Sequence, residues 1–146
     1  MPETMSQADV EAFVSSLPHV QQSENYGYKF FFYGDDHLVP FVTVAASDNE
    51  HDDVSNLDRD GVFRINIGVS RETFGKLFEQ QNAAKPQDID YTILNVLLPH
   101  PHYAAQRFIC ILNPEGDNVE ATKRLMTEAH ALAEARARRK KSASSG

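Results

Sequence analysis

The stretch from Gly61 to Phe78 constrains the fold more than any other part of the sequence, because it predicts a strand that passes directly into a helix. Four apolar residues alternate there with polar or small ones: Phe63, Ile65, Ile67 and Val69. This alternation is typical of a strand with one buried face. Ser70 then occupies a helix-cap position, with Val69 and Phe74 at the two positions of a hydrophobic staple. Such a transition favours a sheet with helices packed on one face.

Hydrophobic periodicity predicts the remaining elements on either side of this stretch. In chain order we expect a helix over residues 7–17, strands over 26–33, 38–46 and 62–69, helices over 70–81 and 88–98, a strand within residues 103–112, and a long helix from about Val119. Residues 21–25 are polar and are expected to form a connection. Turns between the first three strands favour an antiparallel meander. The order α-β-β-β-α-α-β-α predicts an α+β fold, a two-layer sandwich whose helices cover one face of the sheet.

The length of 146 residues and an apolar content of 41% predict one domain with its own core. We assign this domain to residues 1–135 and a basic, flexible tail to residues 136–146. The single cysteine, Cys110, excludes an intrachain disulfide framework. The sequence has no signal-peptide pattern and no apolar run of about 20 residues. We therefore expect a cytoplasmic protein with no membrane partner.

Ser70 follows Gly68 as in half of a nucleophile elbow, but Glu72 stands where that motif needs a second glycine. The capping role accounts for Ser70, and no partner acid or base is evident, so we assign no catalytic residue. The sequence contains no P-loop, no dinucleotide-binding glycine pattern, no Cys-x-x-Cys pair and no His-Glu-x-x-His motif. We therefore expect no cofactor, and a binding protein is favoured over an enzyme.

Polar side chains on the second face of the strand over 62–69 are the first candidates for a binding site. Arg64 and Asn66 project from that face, and Lys29 is expected beside them from the first strand. If the face is open, the guanidinium of Arg64 suits a carboxylate or phosphate ligand. The alternative is that these are ordinary solvated side chains of a sheet.

The most unusual local sequence is Pro-His-Pro-His-Tyr over residues 99–103. We add four residues of this region to the ligand-binding candidates: His100, His102, Tyr103 and Arg107. The alternative interpretation is a rigid connection whose His and Tyr side chains bond to backbone groups. The principal functional hypothesis is thus a small binding or interaction domain that uses the open face of the sheet, with a small molecule or a protein as its partner.

A metal site is the second functional hypothesis. His100 and His102 lie two residues apart and can reach one metal ion from an extended segment, and the flanking prolines limit the entropy lost on binding. A third ligand would come from the acidic loop over residues 47–60, where His51 and Asp48 are the candidates. A solvated acidic loop is the plainer interpretation.

The third hypothesis concerns the C-terminus, where five basic residues lie close together: Arg136, Arg138, Arg139, Lys140 and Lys141. The rest of the chain then carries 9 of the 14 basic residues against 21 acidic ones. An acidic body repels phosphates. Nucleic acid is therefore disfavoured as a partner, and nucleic-acid binding through residues 136–146 is the weakest alternative.

Two phrases of the sequence resemble an uncharacterised family of small bacterial domains: Phe-Arg-Ile-Asn-Ile-Gly-Val-Ser over residues 63–70 and Leu-Pro-His-Pro-His-Tyr over residues 98–103. The resemblance covers the chain from about Tyr26 to Ala133. More distantly, the order of elements resembles that of the MmcQ/YjbR-like proteins, which have a CyaY-type fold and a suggested DNA-binding role. The resemblance implies this fold and a bacterial cytosolic setting, and it assigns no catalytic residue.

Overall fold

An antiparallel sheet forms the centre of the protein. The computed structural model describes residues 4–25, 27–35, 39–48, 53–78 and 89–144. The strands in these residues are β1 (Val20–Asn25), β2 (Tyr28–Tyr33), β3 (Val42–Ala45), β4 (Arg64–Gly68), β5 (Leu98–Pro99) and β6 (Phe108–Leu112). The helices are α1 (Gln7–Ser15), α2 (Arg71–Phe78) and α3 (Asp117–Ser144), with a 3₁₀ turn at Ala104–Gln106. None of the described helices combines the length and the apolarity that crossing a membrane requires.

The strands lie in the order β1-β2-β3-β4-β6-β5, and every neighbouring pair is antiparallel. β1 to β4 form a continuous meander, and β6 adds to β4 on the far side. The predicted α+β fold with an antiparallel meander is confirmed. Residues of one face line up across the sheet, for example in the row Phe30, Thr43, Asn66, Cys110 and Leu98.

The helices cover one face of the sheet, as the alternation along β4 predicts. Val10 and Val14 of α1 and Met126 of α3 are fully buried there. The predicted apolar row of Phe63, Ile65, Ile67 and Val69 belongs to this core. The other strands contribute Phe31, Val42, Val44, Ile109 and Ile111. Each large apolar side chain contributes roughly 1.5–3 kcal/mol through burial, before the cost of ordering the chain.

Ser70 begins α2 as a cap, and this prediction is confirmed. Its Oγ accepts from the backbone N–H of Thr73 at 3.1 Å. Glu128 of α3 completes the arrangement, because its carboxylate accepts from the Ser70 N–H at 3.1 Å and from the Thr73 hydroxyl at 2.7 Å. The negative charge lies where the helix dipole favours it. α2 is described as far as Phe78, and its predicted continuation over residues 79–81 lies outside the described residues.

β1 shows that the prediction of a polar connection over residues 21–25 is wrong. All its residues pair with β2, from Val20 opposite Tyr33 to Asn25 opposite Tyr28. Residues 21–25 are exposed because β1 is an edge strand. An exposed edge strand needs no apolar residues, since its neighbour supplies the hydrogen bonds, so its sequence shows no alternation.

The predicted helix over residues 88–98 is wrong for its described part, because residues 89–97 form an irregular loop. The Asp90 carboxylate accepts from the backbone N–H of Thr92 at 2.9 Å, which makes a local turn instead of a helix start. Asn95 has a φ of 62° and donates its N–H to β6 at 2.6 Å. Local and tertiary hydrogen bonds replace helical ones in this loop.

The last strand lies within the predicted range of residues 103–112. β6 starts at Phe108, because the 3₁₀ turn over Ala104–Gln106 precedes it. Arg107 lies between the two in the left-handed conformation, with a φ of 64°. A residue in this conformation ends a helical turn and redirects the chain into the strand.

The C-terminal helix is longer than predicted. α3 runs from Asp117 to Ser144, and Ala133 is the last of its buried residues for which a side chain is described. The helical backbone therefore continues through the basic segment. The assignment of residues 1–135 to the domain and of residues 136–146 to a flexible tail stays a prediction.

Candidate binding face of the sheet

The face of the sheet opposite the helices carries Arg64 and Asn66, the first predicted site residues. Both are buried, with 0% of Arg64 and 3% of Asn66 exposed. The Arg64 Nε donates to Oδ1 of Asn66 at 2.9 Å, and its Nη1 donates to the Ser55 hydroxyl at 3.0 Å. The Asn66 amide donates to the Thr43 hydroxyl at 2.9 Å. These bonds join β3 and β4 to the loop over residues 53–63.

The prediction of an open face is wrong for this half of the sheet, over β4 and β6. Residues 53–63 before β4 and residues 89–97 before β5 fold across it, with Leu57 and Tyr91 as their buried anchors. Arg59 joins the two loops, because its Nη2 donates to the carbonyl of Thr92 at 3.0 Å. The polar residues of this half are therefore part of the folded interior.

Lys29 lies on the opposite face, so the expectation that it projects beside Arg64 is wrong. In the register it is opposite Val44, which faces the helices. Its ammonium group forms an ion pair with Glu11 of α1. The hydrogen bond that Lys29 donates to Glu11 raises the pKa of Lys29, while partial burial opposes the rise. This pair fastens α1 to β2.

His100 lies directly after β5 and is buried, with 3% of its surface exposed. Its Nδ1 accepts from the backbone N–H groups of His102 and Tyr103, both at 3.0 Å. A ring nitrogen that accepts two N–H groups carries no proton, so the neutral imidazole has its proton on Nε2. His100 thus bonds to the backbone of its own turn, as the interpretation of this segment as a rigid connection expects.

This hydrogen-bond pattern disfavours His100 as a metal ligand. Coordination through Nε2 would place the proton on Nδ1, against two donors, whereas a ligand histidine donates its second nitrogen to an acceptor. Asp48 accepts from the Leu57 N–H at 2.8 Å and so shapes the acidic loop. His51 lies outside the described residues. Across the described ranges, no group of three or more His, Cys, Asp or Glu residues is placed to hold a metal ion.

An aromatic cluster surrounds His100. The ring centroids of Tyr103 and Phe108 lie 5.0 Å and 6.4 Å from that of His100. Gly68 makes room for this cluster, because a Cβ atom there would come within 3.1 Å of the Phe108 ring. Tyr103 is 56% exposed, which leaves one ring of the cluster accessible at the sheet edge.

The remaining predicted site residues flank this cluster. The His102 residue is exposed, and its ring centroid is 6.0 Å from that of His100. Arg107 is half-buried, and its carbonyl accepts from the Val69 N–H at 3.1 Å. The structure therefore brings His100, His102 and Tyr103 together, while it buries Arg64 and Asn66 beneath loops and separates Lys29 from all of them.

The other half of this face, over β1 to β3, carries three aromatic residues that we call the aromatic stripe: Tyr28, Phe30 and Phe32. Consecutive ring centroids along the stripe are 6.0 Å and 6.4 Å apart. Phe30 is half-buried, and it belongs to none of the buried clusters formed by the described residues. The alternation along β2 placed these residues on one face, but sequence reasoning gave them no functional role.

Uncharged side chains flank the aromatic stripe on both sides. The residues opposite it are Gln21, Ser23 and Asn25 on β1 and Thr43 and Ala45 on β3. No described residue of β1, β2 or β3 places a charged side chain on this face. Tyr28 and Phe30 are partly exposed, whereas Phe32 is buried, with 6% of its surface exposed. This half of the sheet therefore offers two partly exposed rings beside hydroxyl and amide groups.

The fold and this face define a small α+β domain with one half of its sheet covered by loops and the other half lined by aromatic residues. The chain belongs to DUF6194, a family of unknown function, whose model matches residues 5–142. No curated protein and no solved structure matches the chain. The family's domain thus includes the described sheet and both halves of the candidate binding face.

Proposed function

We propose that the protein is a small binding domain that takes an uncharged ligand on the aromatic stripe. The observation that carries this proposal is Phe30, a half-buried ring with Ser23 and Thr43 opposite it on the neighbouring strands. Ligand sites commonly combine apolar and aromatic surface with a few polar groups that orient the ligand. A ligand ring can stack against Phe30 while the two hydroxyl groups donate to or accept from its edge.

Charge supports an uncharged ligand. The strands of the stripe present no described charge on this face, and the net charge of −7 repels anions. Arg64, the residue suited to an anionic ligand, is buried in the other half of the sheet. The proposal therefore keeps the sheet face as the binding surface but moves the site from β4 to β2.

An NMR titration of the ¹⁵N-labelled protein tests this proposal. The probes are uncharged aromatic fragments and uncharged sugars, each paired with a counterpart that carries a carboxylate or phosphate. We expect shift changes along β1, β2 and β3 for the uncharged members. Phe30→Ala should weaken these hits about tenfold, equivalent to 1.4 kcal/mol, because the stacking surface is removed.

Two further variants separate binding from folding. Tyr103→Ala removes an exposed aromatic ring outside the stripe and should leave the affinities unchanged. Ser23→Arg obstructs the stripe at an exposed position without removing a ring, and it should weaken binding as Phe30→Ala does. Hits that persist undiminished in both Phe30→Ala and Ser23→Arg, or that map to other residues, would contradict the proposal.

The other functional hypotheses receive less support. The hydrogen bonds of His100 Nδ1 oppose metal binding there. The basic residues of the C-terminus lie at the end of α3, where the helix dipole favours positive charge. Their position therefore has an explanation that does not require a nucleic-acid ligand. A cytoplasmic location in bacteria and a distant relationship to the MmcQ/YjbR-like proteins remain part of this proposal. The buried single cysteine, Cys110, supports the cytoplasmic location. The order of elements supports the distant relationship.

A further inference from the structure

The two edges of the sheet differ in their protection. β5 forms one edge with Leu98 and Pro99 only, and Pro101 follows two residues later. Proline has no N–H to offer, so this edge is a poor template for another strand. β1 forms the other edge with six residues and no proline, and residues 21–25 are exposed. Within the described part of the chain, no strand pairs with the outer side of β1.

The hydrogen bonds between β1 and β2 determine which backbone groups of β1 point outward. The Gly34 N–H donates to the carbonyl of His19 at 2.7 Å, and these residues extend the β1–β2 register by one pair. In an antiparallel ladder, pairs that exchange hydrogen bonds alternate with pairs that do not. The next bonded positions of β1 are therefore Gln21, Ser23 and Asn25. The outward N–H and C=O groups belong to Val20, Gln22 and Glu24.

We propose that β1 pairs with the β1 strand of a second copy of this chain, antiparallel and about a twofold axis at Gln22. Gln22 is then opposite Gln22 of the second copy, and Val20 is opposite Glu24. The outward groups of all three residues form hydrogen bonds, two for each opposite pair. The same strand contributes from both sides, so the association closes at two copies and produces one continuous sheet.

The side chains of β1 are self-complementary in this register. Glu24 meets Val20 instead of a second carboxylate, and Lys29 is its opposite neighbour within its own subunit. The two Gln22 amides meet each other across the axis, and amides both donate and accept hydrogen bonds. Like charges directly opposite each other destabilise strand pairs, and this register contains none. The pairing uses the backbone edge and does not depend on the aromatic stripe.

Analytical ultracentrifugation of the whole chain over a concentration series tests the pairing. The wild type should associate to twice the monomer mass of 16.4 kDa. Gln22→Pro removes an outward N–H and leaves the inward hydrogen bonds to β2, so it should give a folded chain whose association is at least about tenfold weaker. Asn25→Ala, beyond the central pairs and with its backbone unchanged, is the matched control and should keep the dimer.

Cysteine substitutions report the register directly. Gln22→Cys places two thiols opposite each other at a Cα separation of about 5.5 Å, within the range that a disulfide spans. Ser23→Cys places them in offset positions, because Ser23 is opposite Gln21 of the second copy. Mild oxidation should therefore cross-link the first variant and not the second. The native Cys110 is buried and contributes little background.

A chain that stays monomeric throughout the series overturns the proposal. A dimer that survives Gln22→Pro, or equal cross-linking of the two cysteine variants, overturns it as well, because another surface then holds the copies together. Circular dichroism of each variant distinguishes loss of pairing from loss of folding. If Gln22→Pro does not fold, the contrast between the two cysteine variants still decides the outcome.

Discussion

Arg64 shows how the surroundings of a residue depend on distant parts of the chain. The alternation along β4 predicts the face on which its side chain lies, and the structure keeps it there. Its hydrogen bond to Ser55 comes from a loop that folds back over the sheet. From the sequence alone, a polar residue at this point in a strand is predicted to be exposed. In the structure, no part of Arg64 is accessible.

His100 gives a prediction at the scale of the residue. His100→Phe keeps an aromatic ring but removes the Nδ1 acceptor of two backbone N–H groups. We expect the free energy of unfolding to fall by about 1–3 kcal/mol, the usual cost of leaving buried donors unsatisfied. Urea denaturation measures this change. The matched substitution His102→Phe, at an exposed neighbour, should stay within about 0.5 kcal/mol of wild type. Equal losses in the two variants would show that these hydrogen bonds do not stabilise the turn.

The start of α2 is the element that local sequence predicted best. The cap and the staple involve residues that are close together in the chain, so the local sequence is enough to predict them. Glu128 adds what the local sequence does not contain, a carboxylate from another helix that accepts from the Ser70 N–H. The element therefore has one local and one tertiary source of stability.

Ser70→Ala tests the local source. We expect a loss of about 1 kcal/mol in the free energy of unfolding, because the Thr73 N–H loses its acceptor. Ser70→Gly should cost only a few tenths of a kcal/mol, since glycine is itself tolerated at a cap. Guanidinium denaturation of both variants, with Ser15→Ala at an exposed helical serine as control, measures the difference. An Ala variant as stable as wild type would contradict the capping role.

The loop over residues 89–97 is the element that local sequence predicted worst. Its apolar residues recur at helical spacing, yet Tyr91 is buried while Ile93 and Leu94 are exposed. Arg59 holds one point of the loop, and Asn95 pairs with β6. Hydrophobic periodicity describes only the spacing of apolar residues within one segment. In this loop, contacts with other elements determine the backbone conformation.

Tyr91, in the covered half of the sheet, makes the stability of the whole molecule depend on pH. Burial raises its pKa to about 12 from 10.0, the neighbouring Cys110 adds to the rise, and the Arg64 guanidinium opposes it. Its hydroxyl donates to the carbonyl of Pro99 at 2.7 Å. The folded chain thus keeps the phenol proton at a pH at which the unfolded chain loses it.

The stability of the whole molecule should therefore fall at alkaline pH. Below pH 10 both states hold the Tyr91 proton, and this contribution is fully present. As the pH rises from 10 towards 12, the unfolded state alone loses the proton and the free energy of unfolding decreases. Tyr91→Phe should flatten this decrease, whereas Tyr103→Phe at an exposed position should not. Urea denaturation at a series of alkaline pH values measures the free energy of unfolding of both variants and the wild type. If the free energy of Tyr91→Phe falls with pH as steeply as that of the wild type, Tyr91 is not the source of the decrease.

By itself, the sequence determined the elements that bury one continuous side: the apolar face of β4, the alternation along β2, the cap of α2 and the buried side of α3. Their residues carry a period because one side of each element faces the core. Tertiary structure alone decided the rest. β1 is a strand because β2 supplies its hydrogen bonds, and Arg64 is buried because two loops cross the sheet. Covering loops and edge strands leave no period in the sequence, so the division of the sheet into a covered half and an aromatic half appears only in the folded chain.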